Sequence, residues 1–494
     1  MKTLVRAVMA AAALALAGVP GYAAPETLSV GLTGDFPSLI PSADSTPLGY
    51  NYRLNVFDQL TEIGRDGSVS PRLATDWDAS DDLVTWTFNL RPGTTFHDGA
   101  PVTAADVVYT VEYILNDPKS PTRPFIRLVD SVAALDDNTV EFTLIQPYAI
   151  FDRQISFISI MSKAYHEAVG DDGYARKPIG SGPYRVVEWV RDDHMQLEAY
   201  EDYWAGAPAI KTATFRPLPS EAGRVAALMS GGIDLAVALP PSLMDTLGNA
   251  PGVKTLVAPG FRVIFAGFNV NAPPLDNPAI REAIDLAIDR DAIANGLLRG
   301  MGAPAPMMIP EGSVGFDPAV EAVSQDMARA KELVVGSGYN GEVIPIEYPN
   351  NNFSMANETV QAIAGYLTEA GLNVEIRPSE FTAFFPKWAQ TSMDAMYVFA
   401  YGSTQYHADT ILVAMYENGG RVYKENPEID ALVKQQRTIR DTAEQTKVIN
   451  DLFRIAAQDR YNIPIYREYN AFGMVEGLEF DPYPDGFVRL YTFK

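Results

Sequence analysis

The chain has no cysteine. That absence excludes a disulfide framework, thiolate zinc sites, a cysteine nucleophile and an N-terminal cysteine that could carry a lipid. Histidine is scarce too: His97, His166, His194 and His407 are the only four in 494 residues. None stands in an H-x-x-x-H or H-E-x-x-H spacing, and no G-x-S-x-G nucleophile elbow occurs. No cofactor, resident metal or catalytic residue is therefore expected, and direct coordination of a soft transition metal is disfavoured. Positive charge is in deficit, with 38 Lys and Arg against 62 Asp and Glu and a net charge of −24. Such a balance argues against nucleic acid or an anionic membrane surface as partner. Beyond the N-terminus no stretch approaches the roughly 18 uninterrupted apolar residues of a membrane span.

What is present begins with a leader. Lys2 and Arg6 precede an apolar core from Ala7 to Val19, and Gly21-Tyr22-Ala23 is a small-x-small cleavage site. Residues 1–23 read as a secretory signal peptide, the core being too short for a membrane anchor. Its removal would leave 36 basic and 62 acidic residues, a net charge of −26. The remaining chain of about 470 residues is long enough for two or three domains with ample core.

Strand and helix periodicities alternate throughout, which indicates a mixed α/β architecture. Leu28 to Leu32 reads as a first strand, and Val140, Phe142 and Leu144 mark another. Thr103 with Asp106 is a near capping box, followed by an apolar helical face of Val107, Val108, Val111, Ile114 and Leu115. Ser220 and Asn277-Pro278 are helix starts, and Ile233 to Ala236 reads as a strand. Gly336-Ser337-Gly338-Tyr339-Asn340-Gly341 fits G-x-G-x-x-G literally. A helical stripe precedes it where a dinucleotide site needs a strand, so these glycines read as a helix C-cap and turn.

Trp86 to Thr110, WTFNLRPGTTFHDGAPVTAADVVYT, resembles the signature of the peptide/oligopeptide family of extracytoplasmic solute-binding proteins that serve ABC importers. Leu54 to Trp77, Pro178 to Trp204, Leu275 to Ile293 and Gln325 to Gly341 are similar to further family segments, in the expected order. The resemblance implies an α/β fold, the large periplasmic-binding-protein type with two lobes, a hinge and an additional inserted domain. It divides the chain into domain I at 24–54, 179–270 and 469–494, domain II at 55–178, and domain III at 271–468. It implies a non-enzymatic, monomeric periplasmic receptor that encloses a short peptide or peptide-like solute and delivers it to an inner-membrane permease. An oligosaccharide, an opine or a metal chelate is the alternative ligand, a secreted hydrolase the alternative activity.

Ligand chemistry is expected on Tyr397 to Thr410, YVFAYGSTQYHADT, an apolar strand that runs into a loop. In dipeptide- and oligopeptide-binding members of the family this place carries a Trp and, three residues on, an Asp that pairs with the peptide ammonium. Tyr401 and Thr404 occupy those positions here. Tyr401 can wall a ligand, but Thr404 offers only a neutral hydrogen bond, about half as strong as a charged one. The expected ligand-binding residues are Phe36, Tyr401, Ser403, Thr404, Tyr406, His407 and Asp409. Two alternatives are open for Asp409: it supplies the missing charge, or it caps the following helix. Two are also open for Phe36, a ligand contact or a core or hinge residue.

Overall fold

The computed structural model describes residues 26–493; the leader expected at residues 1–23 lies outside them. Strands of 27–32, 85–90 and 139–144 form where the alternating apolar positions predict them. In Thr85–Leu90 the buried residues are Trp86, Phe88 and Leu90, the inward phase of a half-exposed strand. The capping box at Thr103 is present: its backbone N–H donates to the Asp106 carboxylate at 2.9 Å. The other Asp106 oxygen accepts from the Lys163 N–H at 2.9 Å, so one side chain starts two helices. Asn277 caps the helix Pro278–Ala287 by accepting from Ala279 N–H at 2.9 Å. The literal G-x-G-x-x-G run closes the helix Met327–Gly336 with Gly338 and Gly341 at positive φ, as a C-cap and turn. The strand expected at 233–236 is only Leu235–Ala236, because Asp234 turns its carboxylate onto Ser29 N–H at 2.7 Å.

Three hydrophobic bodies result. A four-stranded antiparallel sheet, ordered Ala74–Ala79, Thr85–Leu90, Thr139–Leu144, Val129–Ala134, shares one core with the helix Ala104–Asn116, Phe88 and Phe142 from the sheet with Val107 and Val111 from the helix. A second body centres on Thr27–Leu32, which pairs in parallel with Thr212–Pro217, and on a core including Leu28, Tyr52, Phe215 and Val488. A third is built on the parallel strands Val374–Ser379, Ile344–Pro349 and Met396–Gly402. The second and third bodies share one continuous sheet. The long strands Val253–Phe268 and Asn462–Val475 run antiparallel through both and carry the chain between them. Their register slips between Pro259 and Val263, a bulge that bends the sheet between the two lobes.

Among the described residues no helix is long and apolar enough to cross a membrane, and no group of His, Asp or Glu is placed to hold a metal.

Candidate functional site

The strand Met396–Gly402 is buried on both faces until its last two residues. Its last residue is Gly402, where a Cβ would lie 2.5 Å from the Phe261 carbonyl oxygen, so a side chain has no room. The chain then turns through residues 403–408 into the helix Asp409–Met415. The turn is held against the neighbouring loop by a pair of backbone hydrogen bonds, Val314 N–H to Tyr406 O at 2.8 Å and Ala408 N–H to Val314 O at 3.1 Å. It is also held by the four-stranded body. Arg153 donates to Gly67 O at 2.5 Å and to Gln405 O at 3.0 Å, and Gln405 donates to Gln154.

The expected site residues separate into two groups. Asp409 is 2% exposed and committed to protein partners. It accepts from Arg437 Nε at 2.9 Å, Gln436 Nε2 at 2.5 Å and the Tyr148 hydroxyl at 2.8 Å. Arg437 in turn forks onto Glu417 at 2.7 and 3.0 Å. Burial pushes the Asp409 carboxyl pKa up, but Arg437, His407 and the Tyr148 hydrogen bond together outweigh it and hold the group below the usual carboxylate range. Asp409 does not cap its helix either; its side chain points to Arg437 instead. Neither alternative drawn from the sequence describes it.

His407 is equally internal. Its Nδ1 accepts from the Asp409 backbone N–H at 3.0 Å, which leaves the proton on Nε2 to donate to Gln445 Oε1 at 3.0 Å. Burial lowers its pKa to about 4, with Asp409 opposing the shift. Ser403 is buried and donates to Thr410 Oγ1 at 3.1 Å. Phe36 sits in the core of its own lobe, edge-on to Phe215 at 6.0 Å and 2% exposed. Of its two readings, the structure places it in the core. The turn it belongs to is closed by Asp35, which accepts from Trp189 Nε1 at 3.0 Å.

Tyr401, Thr404 and Tyr406 remain. Tyr401 is half-buried, its ring 5.4 Å from that of Trp388, which also carries Arg421 4.3 Å above it. Thr404 is half-buried. Tyr406 stands apart because its backbone is left-handed, φ +53°, a conformation of about 1–3 kcal/mol strain for a non-glycine residue. Its Cβ packs on Gly67 so closely that a methyl group added there would come within 2.9 Å. Its buried hydroxyl approaches the Asp485 backbone but has no hydrogen-bond partner of good geometry.

Tyr406 lines a cavity of about 390 Å³ between the lobes. The floor is the bulged strand pair, through Ala258, Pro259 and Arg467. One wall is Glu311 and Gly312 beside Tyr406, and the other is the C-terminal segment from Phe480 to Pro484. Arg65, from the turn between the paired strands Thr61–Ile63 and Val69–Pro71, reaches Asp481 in an exposed ion pair and stacks over Tyr483 at 4.7 Å. Arg467 donates through Nε to Gly260 O at 2.6 Å. It makes no ion pair among the described residues, and burial lowers its pKa against the pull of Tyr469, Glu311 and Tyr406.

Glu311, Arg65 and Arg467 were not among the expected residues. Only Arg467 left a trace, a charge that interrupts the apolar run IPIY on an inner strand.

Residues 68–422 match the family described as bacterial extracellular solute-binding proteins, family 5. The glutathione-binding protein GsiB of Pectobacterium atrosepticum is 28% identical over 375 residues, which are 75% of this chain and 72% of that protein. The dipeptide-binding protein of Escherichia coli is 28% identical over 374 residues, 66% of this chain and 69% of that protein. Among solved structures, the ABC transporter substrate-binding protein CtaP of Listeria monocytogenes aligns with a TM-score of 0.84 at 27% identity. The alignment covers 94% of this chain and 98% of that one.

Proposed function

The chain belongs to the family 5 bacterial extracellular solute-binding proteins, and from that premise we propose that it is the periplasmic receptor of a peptide importer. It is a receptor and not an enzyme. In this reading residues 1–23 are cleaved on export and the mature monomer binds a short peptide in the cavity between its lobes. The closed form then docks on an inner-membrane ABC permease. The division into domains I, II and III at residues 55, 179, 271 and 469 belongs to the same proposal; the three largest buried clusters, each centred in a different division, support it.

The observation that carries the reading is the position of the cavity. It lies at the bulge of the two strands joining the lobes and is lined by residues of both. A rotation at that bulge opens or closes it, and a ligand that touches both lobes shifts the population toward the closed form. The peptide assignment leans on relatives named for glutathione and dipeptide binding.

Mass spectrometry of compounds released from the purified mature protein tests the proposal. Species differing by amino-acid residue masses are the expected result. A single sugar, opine or metal chelate would overturn the peptide assignment and leave the receptor role standing.

A further inference from the structure

The interlobe cavity is walled by charges of both signs, and two of them are uncommitted. Glu311 is exposed at the cavity and makes no ion pair or side-chain hydrogen bond among the described residues. Its loop is not free to drift, because the two hydrogen bonds between Val314 and the 406–408 backbone fix it beside Tyr406. Arg467 lines the same cavity, and its one side-chain hydrogen bond among the described residues is from Nε to Gly260 O, so its Nη atoms have no protein partner there. Asp481 already holds Arg65, and Asp409 already holds Arg437. In a chain with 62 acidic residues Arg467 closes no ion pair among the described residues, not even with Glu311, whose charge acts on it at the same cavity. It makes sense if the missing carboxylate arrives with the ligand.

We infer that Glu311 and Arg467 are the two poles of a zwitterion site, Glu311 taking the free ammonium of the ligand and Arg467 its free carboxylate. The unpartnered Tyr406 hydroxyl beside them supplies a further hydrogen bond. Two extended residues span about 7 Å, and a cavity of about 390 Å³ lined by both poles suits a dipeptide-sized zwitterion better than a long peptide. The inference rests on the peptide-receptor reading and adds to it the residues that read the two termini.

The test takes the tightest binder from a library of natural dipeptides and tripeptides, its N-acetyl form and its C-terminal amide. Each is titrated by calorimetry into wild type, Glu311→Gln, Arg467→Gln and Arg467→Lys. Acetylation and amidation should each weaken wild-type binding by about 30-fold or more, the loss expected when one partner of an enclosed charge pair is removed. Glu311→Gln should lose a similar factor for the free peptide and no longer distinguish it from the acetylated one. Its unliganded melting temperature should not move, because Glu311 is exposed and unbonded. Arg467→Gln should stop distinguishing the amide, and Arg467→Lys should recover part of the binding. If Arg467→Gln fails to fold through loss of its Gly260 contact, Glu311→Gln decides the matter alone. Wild type that binds peptides while Glu311→Gln loses nothing would overturn the inference and spare the peptide reading. Wild type that binds no member of the library would overturn both.

Discussion

His407 makes the folded protein sensitive to acid, and the size of the effect follows from its contacts. The ring is 1% exposed, with Nδ1 facing the Asp409 N–H and Nε2–H facing Gln445. A second proton on Nδ1 would set two donors against each other. Nearby Asp409 favours that proton, while Arg153 and burial oppose it, and the folded pKa falls to about 4. Unfolded, the ring titrates near 6.5. Between those values the unfolded chain binds more protons, so the contribution to stability is fully present above pH 6.5 and is lost as the pH falls toward 4. At about 1.4 kcal/mol per unit, the loss between pH 6 and pH 4.5 is about 2 kcal/mol from this one residue. Urea unfolding of wild type and His407→Asn at pH 7, 6, 5 and 4.5 measures it. Asn is chosen because its side-chain oxygen can still accept from the Asp409 N–H. Every other titrating group is common to both proteins, so the difference between the two curves isolates His407. The wild-type stability should fall more steeply than that of the variant by about 2 kcal/mol over the lower interval. Parallel curves would show that the ring is not held neutral, and the hydrogen-bond assignment at Nδ1 would be wrong.

Two further outcomes follow from the same segment. Asp409→Asn leaves Arg437 with Glu417 but without its second carboxylate, and should cost about 3 kcal/mol in urea unfolding at pH 7. Ligand affinity measured on the folded variant should change less than threefold; lost binding with unchanged stability would instead make Asp409 a ligand anchor. Tyr406→Phe removes a buried hydroxyl that lacks a partner and should raise stability by about 1 kcal/mol. The same variant should bind ligand about tenfold more weakly by calorimetry, and unchanged affinity would remove Tyr406 from the site.

The scaffold was legible because its signals are local. Alternation in Trp86, Phe88 and Leu90, the Thr103–Asp106 box and the Asn277-Pro278 start each act within a few residues, and each stands in the structure where the spacing puts it. The exception at Ile233 to Ala236 has a non-local cause, the reach of Asp234 across 205 positions to Ser29. The local pattern marks the buried residues Ile233, Leu235 and Ala236 but cannot show that a side chain has replaced part of the ladder.

The candidate segment was legible as local structure and illegible as chemistry for the same reason. Strand end, loop and helix around residues 397–410 follow from local pattern. Which charges there are available does not, because it depends on who has already claimed them. Asp409 looks free in the sequence, yet its partners stand 27, 28 and 261 positions away. Arg467 looks like one charge among many on a strand, yet the fold brings it to the cavity beside Glu311 and Tyr406 and closes no ion pair on it among the described residues. An acid that is paired contributes to stability, and an acid that is unpaired beside a cavity is available to a ligand. Residue type and spacing are silent on that difference. It follows that Thr404, where a charge was expected, need not mean that the ammonium goes unrecognised. The negative charge can come from a loop outside the segment, as Glu311 does here, provided the fold holds that loop against the same turn.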